Sequence, residues 1–289
     1  MDDRLEHLKE SVAGRYERLE ESKQLGPLVA TGKRFFQIEG LDLAGLLALE
    51  LFTTIIPLVL LGYSFASDFN ENLSFADFMI KWMDLHGDSA TAVQGLFGDA
   101  GDLRSTWTFL GIAGFLFWGI PMSAQVAKTF ARAFQRERWS FGTEVWRGCI
   151  WFAVLLASQI LTVMLTRGIG WTGPLNVLAW IPSFILWSVS PLILVRNGTV
   201  GWRHMAWCGL AGLALDLFGV RVTLRWVFPK LLEGWTSFGP IGVAMALMTT
   251  CTVIATLWVV TACLGAVLWE RNAPSDTVVQ SQITTPAAA

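Results

Sequence analysis

The sequence predicts an all-α, polytopic integral membrane protein with about six transmembrane helices and both termini in the cytoplasm. Three observations predict it. Charged residues make up 15% of the chain and hydrophobic ones 53%, where soluble domains carry about 25% charged residues. The charges are also unevenly spread. Residues 148–166, 168–195 and 234–269 carry none, and each window exceeds the roughly 18 apolar residues expected of a spanning helix. These windows are apolar all round, without the stripe of a soluble amphipathic helix. The third observation is an asymmetry of Lys and Arg between the two sides of the predicted bundle.

The elements follow in chain order. Residues 1–35 form a cytoplasmic amphipathic region, with Leu5, Leu8, Val12, Tyr16 and Leu19 at helical spacing amid mixed charges. The start, MDDRLEHLKE, lacks the basic flank and short apolar run of a signal peptide. The first span is therefore expected to serve as the insertion signal. A six-helix membrane domain covers 36–271. Its spans are Leu41 to Ala66, about Thr106 to Val126, Gly148 to Thr166, about Leu175 to Val195, Trp202 to about Val220 or beyond, and a sixth within Pro240 to Trp269. The turn GIGWTGP separates the third span from the fourth.

Between the first two spans lies a long acidic loop, 67–105, with seven Asp or Glu against Lys81 and Arg104. Within it Leu73, Phe78, Trp82 and Leu85 fall near one helical face, which predicts an external helix resting on the bundle. Residues 272–289 are polar and uneven, the composition of a disordered tail.

Of the 21 Lys and Arg, 15 fall in the two tails and the second and fourth connections. The opposite side holds Lys81, Arg104, Arg167, Arg221, Arg225 and Lys230. Basic residues favour the cytoplasmic side, so both termini are placed there. Arg221, Arg225 and Lys230 in the last external connection run against that rule.

Most catalytic chemistries have no signature. The chain lacks a Walker loop, a dinucleotide glycine motif and an HExxH. Its three histidines, His7, His86 and His204, stand in separate regions. Its four cysteines, Cys149, Cys208, Cys251 and Cys263, all lie in apolar segments and read as small buried hydrophobes. No catalytic residue, metal ligand or cofactor is expected, and the net charge of −2 does not suit a nucleic-acid partner.

The candidate residues lie inside the spans. A charge at the centre of a spanning helix costs about 2.5–3.5 kcal/mol on insertion scales, so such residues face a bundle interior or water. Glu50 and Asp216 qualify, in spans one and five. They read either as a coupled-ion site or polar head-group path, or as structural partners of Lys128, Arg221 or Arg225. Arg221 and Arg225, one turn apart, either snorkel outward or meet an anionic substrate. Gln125 ends span two. Gln159 and Asn176 are polar groups in apolar helices, suited to joining helices or to binding a ligand. Pro57 removes a backbone hydrogen bond and should kink span one just past Glu50. Gly111, Gly114 and Gly119, Gly209 and Gly212, and Thr261 with Gly265 offer close helix contacts. Trp107, Trp146, Trp171, Trp202, Trp235 and Trp269 sit near predicted span ends as interfacial anchors.

Three stretches carry a likeness to a known family. They are ALELFTTIIPLVLL, with Thr54 three before Pro57; TFLGIAGFLFWGIPMSAQVAKTFARAFQRERW; and the segment from WRHMAWCGLAGLALDLFGVRVTLRW to CLGAVLWER, with Leu264, Gly265 and Ala266. Over roughly residues 30–271 the chain resembles the YihY/virulence factor BrkB family of bacterial inner-membrane proteins. Two departures stand out: Val267 where the family often has an acid, and no asparagine in AKTFARAFQ. The resemblance implies six spans and cytoplasmic ends but delivers no activity; members of the family are described as transporters, sometimes linked to lipid export or serum resistance. A ribonuclease label attached to some members finds no support in these residues.

The functional expectation is a transporter or translocase of a lipid or other amphipathic solute. A non-transporting envelope scaffold is the alternative, and an intramembrane enzyme ranks last. The expected partners are membrane lipids and an amphipathic substrate, with a homo-oligomer left open.

Overall fold

The computed structural model describes residues 25–69, 104–165, 178–235 and 238–274, with short pieces at 76–77, 80–81, 86–87, 90–91 and 94–95. All regular structure among the described residues is helical. The helices are α1 (Gly26–Gln37), α2 (Gly40–Phe69), α3 (Arg104–Ala133), α4 (Phe141–Val163), α5 (Ile181–Leu194), α6 (Ala206–Leu215), α7 (Phe228–Trp235) and α8 (Pro240–Asn272). Two π-helical turns, Asp216–Val220 and Thr223–Val227, join α6 to α7. A single helical run thus extends over Trp202–Trp235.

Three of these helices are long and apolar enough to cross a membrane: Phe141–Thr162, Trp202–Trp235 and Ile241–Asn272. Helices α2 and α3 cover the first two predicted spans and have 30 residues each, about 45 Å at 1.5 Å per residue. The fourth predicted span, about Leu175 to Val195, begins outside the described residues. Its described apolar helix is Leu178–Leu194, which stops where Val195 turns extended. The predicted 1–35 helix falls outside the described residues up to residue 24, and its described part is α1. The predicted tail is described only to residue 274.

Local chemistry sets the boundaries. Pro27 opens α1, where a missing N–H costs nothing. Helix α3 stops at Gln135, which takes a left-handed φ of 52°, and the Arg136 N–H closes on the Ala131 carbonyl at 2.8 Å. Helix α4 starts after extended Ser140, with Glu144 in its first turn facing the positive end of the dipole.

Helix α8 is the spine. It packs against α1, α2, α3, α6 and α7, and α2 also pairs with α3, α3 with α4, α4 with α5, and α5 with α6. Its buried face carries small side chains, among them Ala246, Ala255, Ala262, Cys263 and Ala266, which let neighbouring backbones approach closely. All four cysteines are free, and three are buried. The outward faces are apolar instead: Phe109, Phe117, Ile160, Phe218 and Ile241 are each more than half exposed. Large exposed apolar surface of this extent marks contact with another apolar phase.

Of the expected close contacts, those at Gly114, Gly209, Gly212 and Gly265 are present. A Cβ on Gly114 would stand 2.8 Å from the Pro57 ring, so α2 packs its proline into a notch on α3. Gly209 lies against Phe184 and Ser188, and Gly212 against Trp187. Between α3 and α4, a Cβ on Gly148 would meet the Ser123 carbonyl oxygen at 2.6 Å. A backbone neighbour cannot swing aside, so Gly148→Val should destabilise the α3–α4 contact by about 3 kcal/mol. A lowered thermal midpoint in detergent checks this.

One piece of the acidic 67–105 loop docks on the bundle. Ala76 is buried with Phe228, Leu232 and Ala246, and Ile80 and Ala90 pack around them. Leu73, Phe78, Trp82 and Leu85 lie outside the described residues.

Candidate functional site

A cavity of about 500 Å³ opens between α2, α4, α5, α8 and the π-helical stretch. Helix α2 contributes Leu51, Thr54 and Ile55; α4 contributes Phe152, Leu155, Leu156 and Gln159; α5 contributes Ser183, Leu186 and Trp187. Met122 of α3 and Thr250, Cys251, Ile254 and Trp258 of α8 close the apolar side. Asp216, Val220, Arg221, Leu224 and Arg225 form the remaining wall. Thr54, Met122, Leu186 and Cys251 are almost fully buried, whereas Gln159, Arg221 and Arg225 reach the surface. The cavity is thus apolar at depth and charged along one side.

The charged wall depends on the two wide turns. Asp216 and Arg225 are nine residues apart, which on a regular α-helix sets them roughly 180° from each other. The π turns at Asp216–Val220 and Thr223–Val227 change that phase, so both residues line one cavity. Single π turns inside α-helices occur frequently at functional sites.

Asp216 is half-buried and accepts a hydrogen bond from the Ser183 hydroxyl at 2.8 Å. The charge of Arg221 acts on the same carboxylate. Neither Arg221 nor Arg225 makes a hydrogen bond or ion pair among the described residues. The threonines are internally satisfied: Thr54 donates to the Glu50 carbonyl at 2.6 Å and Thr250 to the Ala246 carbonyl at 2.8 Å.

The structure brings together four of the candidate residues, Asp216, Arg221, Arg225 and Gln159. Three stand elsewhere. Glu50 is half-buried on α2 but does not line the cavity, and Leu51 and Thr54 take that place. Pro57 is buried against Gly114. Gln125 sits in α3 with its amide nitrogen buried and unpartnered among the described residues. Asn176 lies outside the described residues. Residue patterns did not single out Ser183, Thr250, Trp187 or Trp258, because bulk apolar helices contain many such side chains.

An aromatic column separates the cavity from the end of the bundle that holds α1. Trp258 contacts Trp187 and Trp151 edge-on, at 6.2 and 5.8 Å between centroids. Trp187 stacks on Phe130 at 6.4 Å, and Phe134 meets Trp269 at 6.0 Å. Trp269 therefore does not sit at an interface as predicted; it is 2% exposed, while Trp146 and Trp202 are open. Trp151 donates to the Ser190 hydroxyl at 2.7 Å.

Beyond the column, ion pairs tie the helix ends. Arg34 of α1 grips both Glu270 oxygens at 3.1 and 2.7 Å and donates to the Ala133 carbonyl at 2.7 Å. Arg138 holds the buried Glu144 at 2.7 Å, and Arg196 pairs with Glu137. That hydrogen bond to Glu144 raises the Arg138 guanidinium above its ordinary value. Burial lowers Arg136, which lies over the Trp269 ring, and the Glu270 charge opposes that shift.

Among the described residues no cluster of three or more His, Cys, Asp or Glu is placed to hold a metal ion. Comparison with family models, with curated proteins and with solved structures gives no match.

Proposed function

We propose that this chain is a transporter or translocase of the YihY/BrkB type in the bacterial inner membrane, moving a lipid or other amphipathic solute. Six helices cross the bilayer in this reading, with both termini cytoplasmic. The carrying observation is the cavity itself. It combines an apolar interior with a carboxylate and two guanidiniums, inside a bundle whose outer face is apolar. Charged groups at bilayer depth are expensive and mark substrate or ion pathways. A mixed pocket of this size is typical of small-ligand sites.

The test is lipid movement by the purified full-length protein in proteoliposomes carrying labelled phospholipid. Movement above empty liposomes is the expected result. Folded protein that moves no lipid and no amphipathic solute would contradict the transporter reading and favour the envelope scaffold.

A further inference from the structure

We propose that Arg221 and Arg225 form an oxyanion subsite in this cavity, for the phosphate of an amphipathic phosphodiester of net negative charge. The inference rests on the transporter reading for its biological use but not for its test. Four observations carry it.

First, the wall holds two guanidiniums against one carboxylate, Asp216. With all three ionised, the site has a net charge of +1, which a phosphodiester of charge −1 neutralises. A zwitterionic head group leaves that surplus in place. Second, neither guanidinium is hydrogen-bonded or ion-paired among the described residues, and Arg221 feels Asp216 only through its charge, so binding an anion breaks no described hydrogen bond of either fork. Third, the two residues stand four apart, on either side of the start of the second π turn, and both line the same cavity. One planar fork saturates a carboxylate, whereas a tetrahedral phosphate offers oxygens to two forks at once. Fourth, the rest of the lining includes Leu155, Leu156, Leu247 and Ile254, which supplies an apolar surface for the rest of an amphiphile.

Asp216 has a definite part in this arrangement. Held by Ser183, it offsets one guanidinium. The pair then binds an anion without trapping it, the balance that conduction through a site requires.

The experiment is calorimetric binding to the full-length protein in neutral detergent. The probes are a short-chain phosphatidylglycerol, the phosphatidylcholine of equal chain length, and inorganic phosphate. Wild type should bind the glycerol lipid about tenfold more tightly than the choline lipid. The double variant Arg221→Gln, Arg225→Gln should bind the two nearly alike. Arg225→Lys, which keeps the charge and loses the fork, should fall between. An unchanged elution profile and thermal midpoint show that each variant is folded.

Inorganic phosphate separates the sources. Binding of the lipid but not of inorganic phosphate assigns a lipid head group; equal binding of both assigns a water-borne phosphate, and the oxyanion subsite stands in either case. Wild type without head-group preference overturns the proposal, as does a folded double variant that keeps the preference. Because binding is read without transport, a protein that binds the lipid and moves nothing refutes the transporter reading alone.

Discussion

Asp216→Asn is expected to slow substrate movement about tenfold while tightening the binding of an anionic lipid by about the same factor. The two effects have one cause. Asparagine keeps the shape of the side chain and can still accept from Ser183, 2.8 Å away in the wild type, but it no longer offsets Arg221. A tenfold change corresponds to about 1.4 kcal/mol. A unit charge at contact is worth about 4 kcal/mol at an effective dielectric of about 20, so the demand on Asp216 is modest. Tighter binding with slower movement separates this role from a structural one, in which binding and movement would fall together. Glu50→Gln serves as the contrast, since Glu50 does not line the cavity. It should leave both quantities close to wild type, as measured in liposomes and by calorimetry.

The second large effect concerns the other end of the bundle. Glu270→Ala should destabilise the fold by about 3 kcal/mol, the low end of the range for halving a buried ion pair. Arg34 is 11% exposed and Glu270 27%. The variant leaves the Arg34 guanidinium with the Ala133 carbonyl and removes the carboxylate that acts on Arg136. The double variant Arg34→Met, Glu270→Leu should be more stable than Glu270→Ala alone, because the Arg34 charge is no longer left buried without its carboxylate. Thermal or denaturant unfolding in detergent measures both. Equal stability of wild type and Glu270→Ala would show that α1 is not held by this pair.

The helices were legible in the sequence because spanning segments are written in local composition. Helix α2 departs from the predicted Leu41 to Ala66 by only a few residues at each end. The fifth predicted span, Trp202 to about Val220 or beyond, runs on to Trp235. Arg221, Arg225, Lys230 and Glu233 interrupt its apolar pattern, and a hydropathy argument stops where charges begin. Its π turns are backbone features that no residue pattern announces. Half of the candidate site was legible for the same reason. Charges inside apolar helices stand out, so Asp216, Arg221 and Arg225 were found. Which of them meet was not, because Ser183 and Asp216 are 33 residues apart and Arg34 and Glu270 are 236 apart. Glu50 stood out equally and does not line the cavity, since one position along a helix turns a side chain by about 100°. Trp269 was misplaced because position near a span end does not reveal that α1 and α3 come together there with Phe134 and Arg136.

The most direct test of the cavity as the substrate path is photocross-linking. A phosphodiester lipid with a photoreactive group beside its head would be irradiated with the full-length protein in liposomes, and the labelled peptides mapped. Labels within residues 51–55, 216–225 and 247–258 are the predicted result, lost when excess unlabelled lipid competes. Labels confined to outward residues such as Phe109, Phe117 and Ile160, and insensitive to competition, would contradict it.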